Sequence, residues 1–256
     1  MKFSIITPTH KRANLLSRAV NSVLGQTYAD WELIIVNDSP DDTSYTSLER
    51  NITDPRIIYL NNEQNMGVNF SRNRALNNVT KDANWVIFLD DDDYLAPDAL
   101  ATFRELITIH PNKKWFVTNR AYANGKPITN FPKSDTEYYY AWDYLILKRC
   151  KNDATHCINT SLVNNVRFSK TIKQAEEWFF FFQVGLKSEI FYHDHDSTFS
   201  DGYNEHSGLN FRSRSRAEQI KIIIKLTYES IRLNIFYHFT FLTYILVRFF
   251  RVLLTS

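Results

Sequence analysis

Four consecutive aspartates, Asp90 to Asp93, are the residues of this 256-residue chain whose type and spacing indicate chemistry most directly. They follow the apolar run at residues 86–89, where a buried strand is predicted to end. Adjacent carboxylates repel one another, so such a cluster needs a cation or hydrogen-bond donors to balance it. Oxygen ligands favour Mg²⁺ or Mn²⁺, with substrate phosphates completing the shell. The alternative is a solvated acidic turn before a helix near Pro97.

Apolar runs of strand length supply the elements that must position these acids. They recur at residues 3–7, 32–36, 56–60, 85–89 and 115–118. Runs that are continuous rather than alternating are typical of strands buried on both faces. Stretches with helical spacing lie between them, at residues 13–24, 43–51, 68–79 and 97–109. This alternation predicts an α/β fold with a mostly parallel sheet and helices on both faces.

Polar residues stand at the carboxyl ends of three predicted strands: Thr7, the pair Asn37-Asp38, and the four aspartates. In a parallel sheet wound with helices, a ligand binds beyond these ends. We therefore expect the three groups to converge on a nucleotide. The alternation loosens after Thr118, so residues 1–118 are predicted to form the nucleotide-binding half of one domain and residues 119–208 its acceptor-facing half.

Several sequence blocks, in order, resemble those of the family-2 glycosyltransferases of the GT-A fold. They are residues 5–12 (IITPTHKR), 22–28 (SVLGQTY), 31–39 (WELIIVNDS), 65–67 (NMG) with 72–73 (RN), and 88–93 (FLDDDD). Several blocks in the right order are far more specific than an isolated D-x-D motif. The resemblance implies an inverting, metal-dependent enzyme that moves a sugar from a nucleotide-sugar, expected to be a UDP-sugar, to a hydroxyl of a bacterial surface glycan or lipid-linked acceptor.

The resemblance also implies roles for the acids. It makes Asp90-Asp91-Asp92 the D-x-D motif, with Asp92 as the principal ligand of Mn²⁺ or Mg²⁺ and Asp90 as a second ligand. Asp91 then lies near the ribose and phosphates of the donor. Asp38 matches the acid that binds the uracil edge, although Asn37 stands where the family usually has another Asp.

Further donor contacts follow from the same resemblance. Thr7 falls where a main-chain or hydroxyl contact supports the nucleoside, and Pro8, Thr9 and Arg12 continue this donor-binding block. Arg72 matches a basic residue beside the nucleotide. For Arg72 taken alone, the alternative is a solvated charge on a helix.

The second half of the reaction needs a base, because the attacking hydroxyl must lose a proton. The segment from Ala175 to Trp178 resembles the acidic pair of the family, which places the base on Glu177 with Glu176 as the alternative. Without the resemblance, the two acids indicate the charged first turn of an amphipathic helix. His206 lies where some members place a further metal or phosphate contact, although a histidine in a loop is more often solvated.

The carboxy-terminal residues 209–256 have a different character, with eight Lys and Arg residues against two Glu in a chain of net charge +2. Residues 233–247 contain no charged side chain but are too few for the ~20 residues that span a bilayer. This basic, aromatic tail predicts a helix that anchors the protein at the membrane interface. The alternative is a helix packed on the catalytic domain or on a homodimer partner.

Composition and termini narrow the class of protein further. Cys150 and Cys157 form no C-x-x-C pair, so neither a disulfide framework nor a zinc site is indicated. The chain shows no signal-peptide pattern, and we expect it at the cytoplasmic face of the plasma membrane. The positive charge of the tail favours an acidic membrane surface over nucleic acid as its partner.

Two other functions agree with parts of this pattern. A sugar-phosphate nucleotidyltransferase has a similar sheet, but it needs a Gly-rich amino-terminal loop that residues 6–9 (ITPT) lack. A catalytically inactive glycan-binding or assembly subunit would need neither the four acids nor a base.

Overall fold

A computed structural model of the chain describes residues 1–172, 177–200, 215–235 and 238–254. Within these residues the strands are β1 (Lys2–Thr9), β2 (Trp31–Asn37), β3 (Ile57–Asn61), β4 (Ala83–Phe88), β5 (Asp93–Leu95), β6 (Trp115–Tyr122), β7 (Thr136–Tyr138), β8 (Ala154–Asn159) and β9 (Ile190–Ser200). The helices are α1 (Ala13–Leu24), α2 (Ser44–Asn51), α3 (Val68–Leu76), α4 (Ala99–Ile109), α5 (Thr160–Val163), α6 (Trp178–Gly185), α7 (Arg216–Arg232) and α8 (Phe239–Leu254), with a π-helix at Tyr140–Ile146.

One sheet connects all the strands, in the order β3-β2-β1-β4-β8-β6-β9-β5, with β7 paired to β9. The pairs β1–β2, β1–β4 and β2–β3 are parallel, as the alternation of strands and helices predicts. The predicted α/β class is therefore confirmed.

The second half of the sheet differs from the predicted parallel arrangement. β8 inserts between β4 and β6 and is antiparallel to both, and β9 is antiparallel to β5 and β7. The sheet is therefore mixed. The two predicted halves of the domain share it, because a strand from the second half returns to pair with β4 of the first half.

Buried cores cover both faces of the sheet. Neighbouring residues of β1 face opposite sides, so Ile5 packs in one hydrophobic cluster and Ile6 in the other. α1 and α4 cover the face of Ile5, whereas α6 and the π-helix cover the face of Ile6. This two-sided burial explains why the strand sequences are continuously apolar.

The two carboxy-terminal helices end the described chain. α7 begins with a capping box between Ser215 and Glu218. α8 packs on α7 and on the π-helix, and its Phe241 is fully buried in the same cluster as α6. Among the described helices none is long and apolar enough to cross a membrane. α8 is thus attached to the catalytic body on one face, which matches the packed alternative for the tail.

Candidate active site

A cleft of about 570 Å³ opens beyond the carboxyl ends of β1, β2 and β4. Side chains from all three ends line it, including Thr9 at the end of β1, Asp38 after β2 and the four aspartates after β4. α3 contributes Arg72, and the residue before α6 contributes Glu177. The predicted convergence of polar groups therefore exists in the structure.

Three of the four aspartates form a compact acidic cluster. Carboxylate oxygens of Asp90, Asp92 and Asp93 all lie within 4.8 Å of one another. Asp90 and Asp92 were expected together from the sequence, whereas Asp93 had no assigned role. The third predicted ligand, His206, lies outside the described residues. A tight turn brings Asp93 back, because its N–H donates to the Asp90 carbonyl at 3.1 Å and β5 begins there.

Three arginines surround this acidic cluster. Arg12 Nη1 lies 2.8 Å from Asp92 Oδ2, Arg72 Nη2 lies 2.7 Å from Asp90 Oδ1, and Arg120 Nη2 lies 2.8 Å from Asp93 Oδ1. Arg120 comes from β6 and was missed by the sequence reasoning. Its only signal is a charged residue within a strand that is otherwise mostly buried.

Burial and charge act in opposite directions on the pKa values of these acids. Burial raises the pKa of Asp93 to about 7, although the positive charge of Arg120 lowers it. Burial also acts to raise the pKa of Asp90, but the charges of Arg72 and Arg120 outweigh it and the pKa is lowered. A cation beside Asp93 would favour its ionised form.

Asp91 faces a different group of side chains. Thr9 donates to its Oδ2 at 2.7 Å, and Arg12 Nη1 lies 3.2 Å from its Oδ1. The Thr9 hydroxyl also lies 2.7 Å from the hydroxyl of Tyr45, which in turn accepts from the Arg12 N–H at 2.8 Å. Burial raises the pKa of Asp91 to about 6. Asp91 therefore ties the β4 end to the β1 end and lies apart from the three clustered acids.

Asp38, the residue predicted to bind the uracil edge, is buried and already accepts three hydrogen bonds from the protein. Asn62 and the N–H of Met66 donate to its Oδ1 at 2.7 and 2.8 Å, and the N–H of Gly67 donates to its Oδ2 at 2.8 Å. These contacts fix the loop before α3, where Gly67 has a φ of 90° that favours glycine. One lone pair of Oδ2 remains for a ligand.

The donor-binding block is shifted by two residues relative to the expectation for Thr7. β1 continues to Thr9, so Thr7 is fully buried and its hydroxyl has no hydrogen-bond partner among the described residues. Pro8, Thr9 and Arg12 line the cleft as predicted, together with His10. The carboxyl end that meets the cleft is therefore Thr9.

The predicted base, Glu177, lies across the cleft from α3. Its Oε1 is 2.6 Å from Arg72 Nη1, and its side chain is 45% exposed. Because Arg72 also pairs with Asp90, one buried guanidinium links the acidic cluster to Glu177. The alternative base, Glu176, lies outside the described residues.

Beyond Glu177 the cleft becomes aromatic, at residues that lie in the predicted acceptor-facing half of the domain. Tyr140, Tyr144, Trp178 and Phe181 line this end, and the rings of Tyr140 and Tyr144 stack at 5.1 Å. Flat aromatic faces with a polar edge suit the apolar face of a sugar ring. We refer to these four residues as the aromatic end of the cleft.

His156 at this end makes the stability of the fold depend on pH. Its ring stacks on Phe181 at 4.1 Å, and the indole N–H of Trp115 donates to its Nδ1 at 3.1 Å. Burial lowers the pKa of His156 to about 3.

Because this pKa lies below the unfolded value of about 6.5, the stabilisation by neutral His156 is complete above pH 6.5 and is lost as the pH falls. We expect the free energy of unfolding to fall by about 1 kcal/mol at pH 5.5 from this group. Urea unfolding of the wild type and of His156→Gln at pH 7.5 and 5.5 measures it. An unchanged pH dependence in the variant would contradict the assignment.

Comparison with known proteins decides the family. The sequence model of glycosyl transferase family 2 matches residues 4–173, which is more than half of the chain. The chain belongs to this family. The predicted family and enzyme class are thereby confirmed, and the match includes the cleft residues named above from Pro8 to His156.

Curated relatives of this family-2 chain include putative and established transferases of surface glycans. The putative colanic acid biosynthesis glycosyl transferase WcaA of Escherichia coli is 34% identical over 141 residues, covering 51% of this chain and 49% of WcaA. The UDP-Glc:α-D-GlcNAc-diphosphoundecaprenol β-1,3-glucosyltransferase WfgD of Escherichia coli is 41% identical over 91 residues, covering 35% and 34%. The chain thus spans about half, or less, of the length of these relatives.

Solved structures share the fold of this family-2 chain. The S. aureus TarS fragment 1–349 in complex with UDP-GlcNAc superposes with a TM-score of 0.74, covering 98% of this chain and 72% of the fragment. The sequence identity is 20%, so the likeness establishes the GT-A type of architecture and not a shared substrate.

Proposed function

We propose that this chain is an inverting, metal-dependent glycosyltransferase that moves a sugar from a UDP-sugar to a hydroxyl of a bacterial surface glycan or lipid-linked acceptor. The acidic cluster of Asp90, Asp92 and Asp93 beside Glu177 carries the proposal. UDP-sugars and diphosphoundecaprenol-linked acceptors appear in the names of similar proteins, which supports these substrate classes here.

The acidic cluster fits a divalent ion. All its ligands are carboxylate oxygens, which suits Mn²⁺ or Mg²⁺. We assign Asp92 as the principal ligand, and its partner Arg12 is shared with Asp91. Because burial raises the pKa of Asp93, its ionised form is disfavoured when no cation is bound beside it. When bound, such an ion would offset the negative charge of the departing diphosphate.

The arginines supply further positive charge at the donor. Arg72 is buried and Arg120 is partly buried, and the Nε atom of each has no hydrogen-bond partner among the described residues. We assign Arg12 and Arg72 to the donor phosphates, and Asp38 with Thr9 to the nucleoside end. Positive groups fixed before the donor arrives stabilise developing charge without reorganisation.

Glu177 is assigned the role of base. Arg72 holds its carboxylate at the boundary between the acidic cluster and the aromatic end, and nearly half of the side chain stays open to an acceptor. In this arrangement the donor lies against the aspartates and the acceptor against Trp178. The acceptor hydroxyl would transfer its proton to Glu177 as it attacks the anomeric carbon.

Membrane association is proposed for α8. Its buried face packs on the catalytic body, while Leu246, Phe250 and Leu254 on the other face are exposed. Together with the basic residues of α7 and α8, this face suits the surface of an anionic membrane, so we place the protein peripherally at the inner face. In this proposal one face of α8 packs on the catalytic domain and the other lies at the membrane interface.

Donor binding is tested by thermal unfolding with a panel of nucleotide-sugars. We expect one UDP-sugar with Mn²⁺ to raise Tm by about 5–10 °C at about 100 times its Kd, and EDTA to remove most of the shift. GDP-mannose serves as the control for base recognition. If no nucleotide-sugar raises Tm with metal, the chain is a non-catalytic subunit and the proposal fails.

A further inference from the structure

Three basic residues lie just after the π-helix and on α8, the helix that packs on the π-helix. Lys148 lies two residues beyond the π-helix in the left-handed backbone region, with a φ of 55°. Arg248 and Arg251 lie one turn apart on α8, the helix that packs on the π-helix. The pKa of Lys148 is lowered, first by its burial and then by the charges of Arg251 and Arg248. We call these three residues the cationic junction.

The cationic junction is joined to the aromatic end of the cleft by two rings. Lys148 Nζ lies 6.0 Å from the ring centre of Tyr144, and Arg248 Cζ lies 5.5 Å from that of Trp178. Both rings line the cleft, and Trp178 follows Glu177 directly. A group bound at the junction is therefore one aromatic side chain away from the proposed base.

An exposed apolar strip on α8 begins at the same place. Leu246, Val247, Phe250 and Leu254 are 55%, 37%, 56% and 81% exposed, and they line a shallow depression together with Arg251. Contiguous exposed apolar surface marks a site of interaction. Cations at one end of an apolar strip complement an amphiphile that carries a phosphate group on a hydrocarbon chain.

We propose that the cationic junction binds the phosphate or diphosphate group of a lipid-linked acceptor, while the apolar strip of α8 receives the adjoining hydrocarbon chain. The acceptor sugar then extends along Tyr144 and Trp178 towards Glu177. This inference rests on the proposed function for the identity of the acceptor, but the site itself is tested without any sugar transfer.

The probe is farnesyl diphosphate, a short polyprenyl diphosphate, titrated calorimetrically into the full chain with Mn²⁺ and saturating UDP. UDP occupies the donor cleft and so reduces binding of the probe there. We expect binding that weakens about fivefold in Lys148→Gln and by a further similar factor when Arg251→Gln is added, since each cation near an anionic group contributes about that much. Lys126→Gln, an exposed lysine in the turn after β6, is the matched control and should bind normally.

Three comparisons identify what the site recognises. Farnesol and inorganic pyrophosphate should each bind more weakly than farnesyl diphosphate, because each lacks one half of the amphiphile. Equal affinity of Lys148→Gln, Lys148→Gln/Arg251→Gln and Lys126→Gln for the probe would overturn the proposal. The proposal would also be overturned if the junction variants bound the probe normally but lost binding to phosphatidylglycerol vesicles. The junction would then recognise membrane headgroups.

The outcome is independent of the donor assay. If UDP-sugars raise Tm but the junction variants bind the probe normally, the acceptor site is wrong and the proposed function stands. If the variants weaken probe binding but no nucleotide-sugar binds, the lipid phosphate site stands and the transferase proposal fails. Circular dichroism of each variant verifies that it is folded.

Discussion

Asp92→Asn is expected to lower kcat/KM by at least about 10²-fold and to remove the metal-dependent part of the Tm shift caused by the donor. The substitution keeps the size of the side chain but removes the charge of the carboxylate that we assign as the principal metal ligand. Arg12 retains Asp91 as a partner at 3.2 Å, and one repulsion within the acidic cluster is relieved. The unliganded protein should therefore unfold at nearly the wild-type temperature.

Steady-state transfer and thermal unfolding with and without Mn²⁺ measure both effects. Asp41→Asn is the control, because Asp41 is exposed and does not line the cleft. Near-normal turnover in Asp92→Asn would refute the metal assignment. If Asp93→Asn alone removed the metal dependence, the principal ligand would move to Asp93, whose pairing with Arg120 makes it the less available of the two acids.

Glu177→Gln is expected to keep the affinity for the donor and to lower kcat by about 10²- to 10⁴-fold, the range that a positioned base contributes. Glutamine can still accept a hydrogen bond from Arg72, but it cannot take a proton from the acceptor. Arg72 also keeps its pairing with Asp90 at 2.7 Å, so the cleft should retain its shape. Donor binding by calorimetry and single-turnover transfer separate the two effects.

Glu176→Gln is the matched control for the base. Its turnover should be near that of the wild type. If Glu177→Gln transferred sugar at the normal rate without an added carboxylate, the base would lie elsewhere. A loss confined to Glu176→Gln would move the base by one residue. A parallel loss of donor affinity in Glu177→Gln would instead mean that Glu177 acts by orienting Arg72.

Much of the first half of the fold was predictable, because short-range patterns encode it. β1, β2 and β4 are largely buried, and α1 buries Leu16, Ala19, Val20 and Val23 at helical spacing. Burial of this kind leaves a periodic signal in the sequence. The four aspartates gave the position of the site because they interrupt that signal at the end of β4.

The second half of the fold was less predictable. β8 pairs antiparallel with β4 from 70 residues away, and no local pattern specifies which strands become neighbours. The aromatic residues of the π-helix and of α6 were visible as composition. Their role at one end of the cleft depends on how α6 and α8 pack around them.

The amino-acid sequence by itself determined the family, the acidic motif and the order of the nucleotide-binding elements, because each depends on residues that are close along the chain. Tertiary structure alone decided that Asp93 joins Asp90 and Asp92, that Arg72 pairs with Glu177, 105 residues away, as well as with Asp90, and that α8 completes the core through Phe241. Those contacts depend on packing between distant segments. The free energy that selects one set of partners comes from burial and charge pairing in the assembled fold, which no single stretch of sequence contains.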